Sequence, residues 1–291
     1  MNIYVYTKLK GETKMKIWEA ILYGIIQGLT EFLPVSSSGH LAMIQNMTGF
    51  GEGMDVIAFN VLLHIGTLVA VAIVYYKDIF GLIKSFFSLC KKIFGSKFKF
   101  SECTVHEKLV VYIVIATLPL IPMILIEDYL ELVSGYLVII GALLIFNGLV
   151  LIVSDRLARH CGMIDDMKPK NALLIGICQM FALLPGISRS GSTITGGLLN
   201  GLDRSEAVRF SFLLSIPAIL GSAVVKLPAL FTQNLDARTL GVYMLGAAVS
   251  AIVGVCAIKL LSYISKKSNF SIFSYYCFVA GAVAIAWSIF M

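Results

Sequence analysis

A chain of 291 residues that is 58% hydrophobic and only 14% charged has more apolar surface than a soluble core of that size can hide from water. With a mean hydropathy of +0.88 it reads as a polytopic helical membrane protein. The formal net charge of +6 comes from lysines clustered in loops, which report topology rather than nucleic-acid binding.

In chain order, Lys8, Lys10, Lys14 and Lys16 precede a first apolar arm, Ile17–Leu33. That arm leads into a polar run instead of a small-residue cleavage site, so no removable signal is expected, and Met15 offers an alternative start of translation. The polar run is Gln27-Gly-Leu-Thr-Glu-Phe-Leu-Pro-Val-Ser-Ser-Ser-Gly-His40, followed by a short arm, Gly39–Met47. Membrane spans are expected at Val56–Tyr76, Leu109–Ile126 and Gly135–Ser154. The lysines between Lys77 and Lys108 mark a cytoplasmic loop, and Glu127, Asp128 and Glu131 an external one. A second broken segment follows, with arms Ala172–Leu184 and Gly191–Gly201 around Pro185-Gly-Ile-Ser-Arg-Ser-Gly-Ser-Thr193. Three more spans close the chain at Val208–Val225, Leu240–Ile264 and Ser271–Met291. Cys90, Cys103, Cys161, Cys178, Cys256 and Cys277 form no CxxC pair and point to neither a zinc site nor a disulfide framework.

An offset of 152 positions (Ser36 to Ser188) superposes the two polar runs without a gap, pairing Gly24 with Gly176, Gln27 with Gln179, Ser38 with Ser190 and Gly39 with Gly191. The single membrane domain is therefore a duplication, with repeat one at about 15–154 and repeat two at about 170–291. Pro34 and Pro185, flanked by Ser and Gly, break each motif helix, and broken backbone at membrane depth persists only where protein or a cavity satisfies it. The expected fold is all-α, each half being one re-entrant helical hairpin plus three transmembrane helices. Three is odd, so the halves should have inverted topology, with the tips meeting near the midplane. Parity then puts the N-terminus outside, against the sign of the four lysines before the first arm.

The copies differ where chemistry would differ. Glu31 and His40 occur only in the first, and Arg189 only in the second, opposite Ser37. Each is costly at membrane depth and marks a functional site. Gln27 and Glu31, one helical turn apart, could ligate Mg²⁺ or Ca²⁺; read blandly they are a polar pair at a helix end. Ser36, Ser37, Ser38 and Gly39 offer hydroxyls and free N–H groups beside His40, a nucleophile next to a base, although serines there also cap the second arm. Gly186, Ser188, Arg189, Ser190 and Thr193 converge a guanidinium fork and N–H groups on one phosphate. Asn60, His64 and Thr67 make a weaker stripe, with His64 read as an interhelical hydrogen-bonding residue; Ser211 and Ser215 read as packing. Two classes fit these parts: a hydrolase of a lipid phosphate or pyrophosphate, and an inverted-repeat transporter or flippase of an anion or phospholipid.

The first run, the second run and Arg209-Phe-Ser-Phe-Leu-Leu-Ser-Ile-Pro217 together resemble the bacterial undecaprenyl-pyrophosphate phosphatase family, the bacitracin-resistance type of integral membrane phosphatase. The resemblance covers essentially the whole chain from about Met15. It implies hydrolysis of undecaprenyl pyrophosphate to the monophosphate, recycling the lipid carrier for peptidoglycan synthesis. It also implies a divalent cation at Gln27 and Glu31, and catalysis by Glu31, Ser37, His40 and Arg189. Substrate contacts would come from Ser36, Ser38, Gly39, Gly186, Ser188, Ser190 and Thr193. The site would open to the outer face of the bacterial plasma membrane, and bacitracin would compete for the polyprenyl pyrophosphate; a homo-oligomer stays open. The family carries Glu or Gln at the leading position, here Gln27. The type-2 phosphatidic acid phosphatases run the same reaction on another fold, but their downstream His with its paired Asp is missing here.

Overall fold

The computed structural model describes residues 15–49, 56–95, 99–157, 162–232, 236–267 and 269–290. Lys8, Lys10, Lys14, Lys97 and Cys161 lie outside the described residues, as do the side chains of Glu127, Asp128 and Glu131. The described residues contain no strand, only an isolated bridge between Gly162 and Leu202.

The first motif folds as α1 (Ile17–Phe32) and α2 (Ser37–Thr48), and the second as α8 (Pro169–Phe181) and α9 (Arg189–Leu199). Between them lie α3 (Val56–Val74), α4 (Tyr76–Phe94), α5 (Val105–Thr117), the short α6 (Glu127–Val133) and α7 (Leu137–Leu157). The chain ends with α10 (Arg204–Thr232), α11 (Ala237–Lys267) and α12 (Ser271–Phe290). Six helical stretches are long and apolar enough to cross a membrane, and they fall on the six spans read from sequence. The molecule is an all-α polytopic membrane protein. Its polarity is that of a membrane protein too: Gln27, Thr67, Asn147, Ser154 and Ser250 are buried inside, while Ile73, Val224, Ile252 and Val279 face outward.

Two features depart from the sequence reading. Helix α5 continues as a 3₁₀ segment from Leu118 to Ile126, because Pro119 and Pro122 cannot donate the bonds an α-helix would need there. The segment after Lys77, read as a loop, is helix α4, with Phe80, Phe87 and Phe94 exposed and Leu89 buried. Its lysines lie at one end of the molecule, on an amphipathic helix and not in a loop. Arg209 of α10 reaches Asp78 at its start, and Lys92 bonds Glu107 at 2.7 Å, fixing it against α5.

Small residues let the helices approach. A side chain on Gly24 would meet the Gly246 carbonyl at 2.5 Å, and one on Gly28 the Ser250 carbonyl at 2.7 Å, so α1 runs parallel to α11 in close contact. In the other half, Gly176 of α8 sits against the Ala116 carbonyl of α5 in the same way. Each hairpin's first arm thus packs on the middle span of the opposite repeat. The last spans of the two repeats, α7 and α12, cross reciprocally at Gly141 and Gly281, each against the other's carbonyl. Gly148 meets Ser274 farther along, so these two helices are antiparallel.

Helix ends sort into two groups. Lys108 pairs with Asp165 at 2.8 Å, Arg204 pairs with Asp155 at 3.3 Å, and Arg209 pairs with Asp78, gathering the lysine-rich ends together. At the other end, Asn46 of α2 donates to the Ser134 carbonyl at 2.9 Å, just before α7 begins.

Candidate active site

Both motif helices stop where Pro and Gly interrupt the ladder, and both second arms restart on a serine cap. Ser36 accepts from the Gly39 N–H at 3.2 Å, and Ser188 accepts from the Gly191 N–H at 3.1 Å, the same bond at matching positions of the repeat. Across the junction the tips touch: the Gly186 N–H donates to Ser36 Oγ at 3.2 Å, and Ser190 Oγ donates to the Leu33 carbonyl at 3.2 Å. Gly186 needs its φ of 108°, and a side chain there would strike the Ile140 carbonyl at 2.8 Å. Gly39 must also be bare, because a side chain would lie 3.0 Å from the Gly186 Cα.

Asn147, in the middle of α7, clamps the two tips. Its Nδ2 donates to the Pro34 carbonyl at 2.9 Å, and its Oδ1 accepts the Ser188 N–H at 3.0 Å. Asn147 is not among the residues expected from sequence, although a lone Asn inside Leu-Leu-Ile-Phe-Asn-Gly-Leu-Val is a visible signal.

At this junction Glu31, buried to 5% exposure, collects four partners. Arg189 donates Nη2 to Oε1, while Ser37 Oγ donates to Oε2 at 2.7 Å and Gln27 Nε2 to Oε2 at 2.9 Å. His64 Nδ1 of α3 lies 3.5 Å from Oε2 and 2.9 Å from Gln27 Nε2. So His64 makes the interhelical bond expected of it, and also joins a cluster where it was not placed. Two atoms here have no partner among the described residues although buried: Arg189 Nη1, a donor, and Gln27 Oε1, an acceptor. A site leaving one spare cationic donor and one spare hard oxygen suits a bound anion and a bound cation.

The remaining candidates divide. Ser36, Gly39, Gly186, Ser188 and Ser190 build the tip-to-tip junction, and Ser38 is exposed beside it. His40 turns away from Ser37: Nδ1 bonds the Ser36 carbonyl at 2.7 Å and Nε2 bonds Tyr276 Oη at 2.7 Å, with the two rings stacked. Tyr276 was not foreseen. Thr193 shares a hydrogen bond with Ser211 of α10 at 2.6 Å and faces the core. A cavity of about 620 Å³ lined by Asp203, Arg204, Ser205, Ser265 and Lys266 lies at the lysine-rich end and shares no residue with this cluster.

Chemically, the cluster offers a hydroxyl whose proton already points at a carboxylate, and a guanidinium with a free edge. The N-termini of α2 and α9 lie alongside, where unpaired N–H groups favour negative charge.

The chain matches the family described as Bacitracin resistance protein BacA over residues 20–283. A protein of Methanosphaera stadtmanae named undecaprenyl-diphosphatase is 41% identical over 279 residues, 94% of this chain and 99% of that one. One of the same name from Halothermothrix orenii is 38% identical over 272 residues, 93% of this chain and 98% of its own. A third, from Methanobrevibacter smithii, is 40% identical over 282 residues, covering 94% and 99%.

Proposed function

The chain belongs to the BacA family, and we propose that its Glu31–Ser37–Arg189 cluster hydrolyses undecaprenyl pyrophosphate to undecaprenyl phosphate and inorganic phosphate. The observation that carries this is the pairing of Ser37 Oγ with Glu31 at 2.7 Å beside an Arg189 Nη1 that has no partner. The transporter alternative is not favoured, since the relatives are named as diphosphatases.

Arg189 exchanges its bond to Glu31 for the terminal phosphoryl oxygens, using both guanidinium nitrogens. No longer paired with Arg189, Glu31 takes the Ser37 proton as Oγ attacks the terminal phosphorus. The Oγ–P bond forms, the bond from that phosphorus to the bridging oxygen breaks, and undecaprenyl phosphate leaves with the bonding pair. Water then attacks the phosphoserine, the Oγ–P bond breaks, the proton held by Glu31 returns to Ser37 Oγ, and the water oxygen leaves in inorganic phosphate. His40, bonded through both ring nitrogens, positions the Ser36 backbone and the start of α2.

Gln27 and Glu31 fit a hard divalent cation such as Mg²⁺ or Ca²⁺: one supplies a carboxylate, the other a buried amide oxygen with no partner. Such an ion would neutralise pyrophosphate charge as the bond breaks.

The antiparallel crossing of the equivalent helices α7 and α12 supports inverted repeats with re-entrant hairpins. The clustered lysines favour a cytoplasmic placement of their end, which leaves the first hairpin open to the outer face of the plasma membrane. With the site on that face, its product would recycle the lipid carrier for the cell wall and bacitracin would compete for the same pyrophosphate, as the family resemblance implies.

An acid-quenched single turnover followed by peptide mass spectrometry is expected to find phosphate on Ser37. Full turnover with no phosphopeptide, together with an active Ser37→Ala, would replace serine attack by direct attack of water. For topology, an impermeant thiol reagent outside should label Tyr129→Cys and spare Lys99→Cys in a cysteine-free background; the reverse pattern would turn the protein over.

A further inference from the structure

Three atoms face one another inside the cluster: Glu31 Oε2, the terminal amide atom of Gln27, and His64 Nδ1. Their separations are 2.9 Å from Gln27 to Glu31, 2.9 Å from Gln27 to His64, and 3.5 Å from His64 to Glu31. One face of an octahedron around a small divalent cation has edges of about 3 Å when the bonds are about 2.1 Å. The triangle has that size. Its middle vertex is the Gln27 amide nitrogen, with the oxygen on the far side and unpartnered. Either orientation of the amide leaves one end without a partner, so what stands between Glu31 and His64 decides which end turns in. Facing two acceptors, the nitrogen turns in. Facing a cation, the oxygen does.

His64 is held for this. With the Gln27 amide nitrogen turned in, Nδ1 accepts from it, so the imidazole edge that faces the cluster is the one carrying a lone pair. The α3 backbone at this point is pinned by Thr67 Oγ1 on the His64 carbonyl at 2.7 Å, and by Ser250 Oγ on the Leu63 carbonyl at 3.0 Å. No three His, Cys, Asp or Glu residues converge to hold a metal among the described residues, so any cation here must use the amide oxygen as well.

We infer that His64 is a third protein donor of the cation, completing a Gln–Glu–His face. This rests on the reading of Gln27 and Glu31 as cation ligands and deepens it. An imidazole in place of a further oxygen shifts preference from Mg²⁺ and Ca²⁺ toward transition ions such as Mn²⁺.

The probe is Mn²⁺ bound to the purified full-length protein, read by electron spin echo modulation and by calorimetry, with no turnover required. Wild type should show ¹⁴N modulation from a directly bound imidazole. His64→Gln should lose it and weaken Mn²⁺ binding about tenfold or more, while Mg²⁺ binding changes less than threefold. His40→Gln should keep the modulation, which excludes the other histidine near the hairpin junction. Stoichiometric Mn²⁺ without ¹⁴N modulation in wild type would remove His64 and leave the cation reading intact. Failure of Mn²⁺ to bind, or binding unchanged by Glu31→Gln, would overturn both. If His64→Gln folds poorly, a wild-type spectrum without ¹⁴N modulation still removes His64, and His64→Asn takes the place of His64→Gln in assigning a positive one.

Discussion

The two hairpins have the same skeleton and opposite chemistry. Both restart on a serine whose hydroxyl accepts the N–H three residues on, and both carry a second serine two residues later, with Oγ–Oγ separations of 3.4 Å for Ser36–Ser38 and 3.1 Å for Ser188–Ser190. What differs is the charge. The first supplies Glu31 and Ser37; the second has Leu183 and Arg189 at those positions and supplies the cation. Gln27 and Gln179 both keep an unpartnered Oε1, yet only Gln27 has a carboxylate beside it. The matching motifs supply a symmetric cradle, and the few side chains that break the symmetry set a carboxylate against a guanidinium across one junction.

Breaking the acidic side should have the largest effect. Glu31→Gln removes the acceptor of the Ser37 hydrogen bond and one anionic oxygen of the proposed cation site with little change of shape. Phosphate release from the lipid pyrophosphate should fall about 1000-fold, and the cation concentration for half activity should rise. A fall in turnover with an unchanged cation requirement would make Glu31 a proton acceptor only, and a chelator-resistant wild type would remove the cation from the reaction.

Breaking the basic side costs less, because charge can be kept. Arg189→Lys should lose about 100-fold, since a point ammonium cannot satisfy Glu31 at rest and then grip two phosphoryl oxygens. Near-normal turnover would place the phosphate elsewhere.

The clamp between the halves comes next. Asn147→Ala leaves the Pro34 carbonyl and the Ser188 N–H without a partner in a buried junction, at about 1–3 kcal/mol. Activity should drop about tenfold with a lower melting temperature. A variant with unaltered turnover would show that the tips hold their spacing without it.

How much of this was readable in the sequence follows the physics of each residue. The breaks, caps and spans were legible because Pro, Gly, Ser and long apolar runs act locally: the arm expected at Ala172–Leu184 is helix Pro169–Phe181, and Ile17–Leu33 is Ile17–Phe32. Glu31 and Arg189 were legible as charges where charges are costly. Asn147 stood out as a lone polar residue and His64 was expected to make an interhelical bond, but neither they nor Tyr276 could be assigned to the junction, because a single polar residue on an apolar span says nothing of which way its helix is rotated. His40 shows the same limit. It lies one turn from Ser37, but a bond to the Ser36 carbonyl and the Tyr276 hydroxyl decides where its ring points.

The smallest expected effect sharpens the comparison most, because it concerns backbone alone. Ser36 has φ 72°, and it is the only positive-φ residue other than Gly among the described residues, whereas its counterpart Ser188 has an ordinary φ of −80°. In the second hairpin the left-handed position falls on Gly186, where it is free of side-chain strain. In the first it falls on a serine, kept because its hydroxyl accepts two N–H groups, from Gly39 and from Gly186. Such strain costs roughly 1–3 kcal/mol. Replacing either serine removes a cap, and at any cap Gly is tolerated better than Ala. At Ser36, Gly also relieves the strain while Ala retains it. The advantage of Ser36→Gly over Ser36→Ala should therefore exceed that of Ser188→Gly over Ser188→Ala by about 1 kcal/mol, or about 2–4 °C in melting temperature. Paired thermal unfolding of the four variants in detergent measures this. An equal advantage at both positions would mean that the unusual backbone of the first hairpin stores no strain.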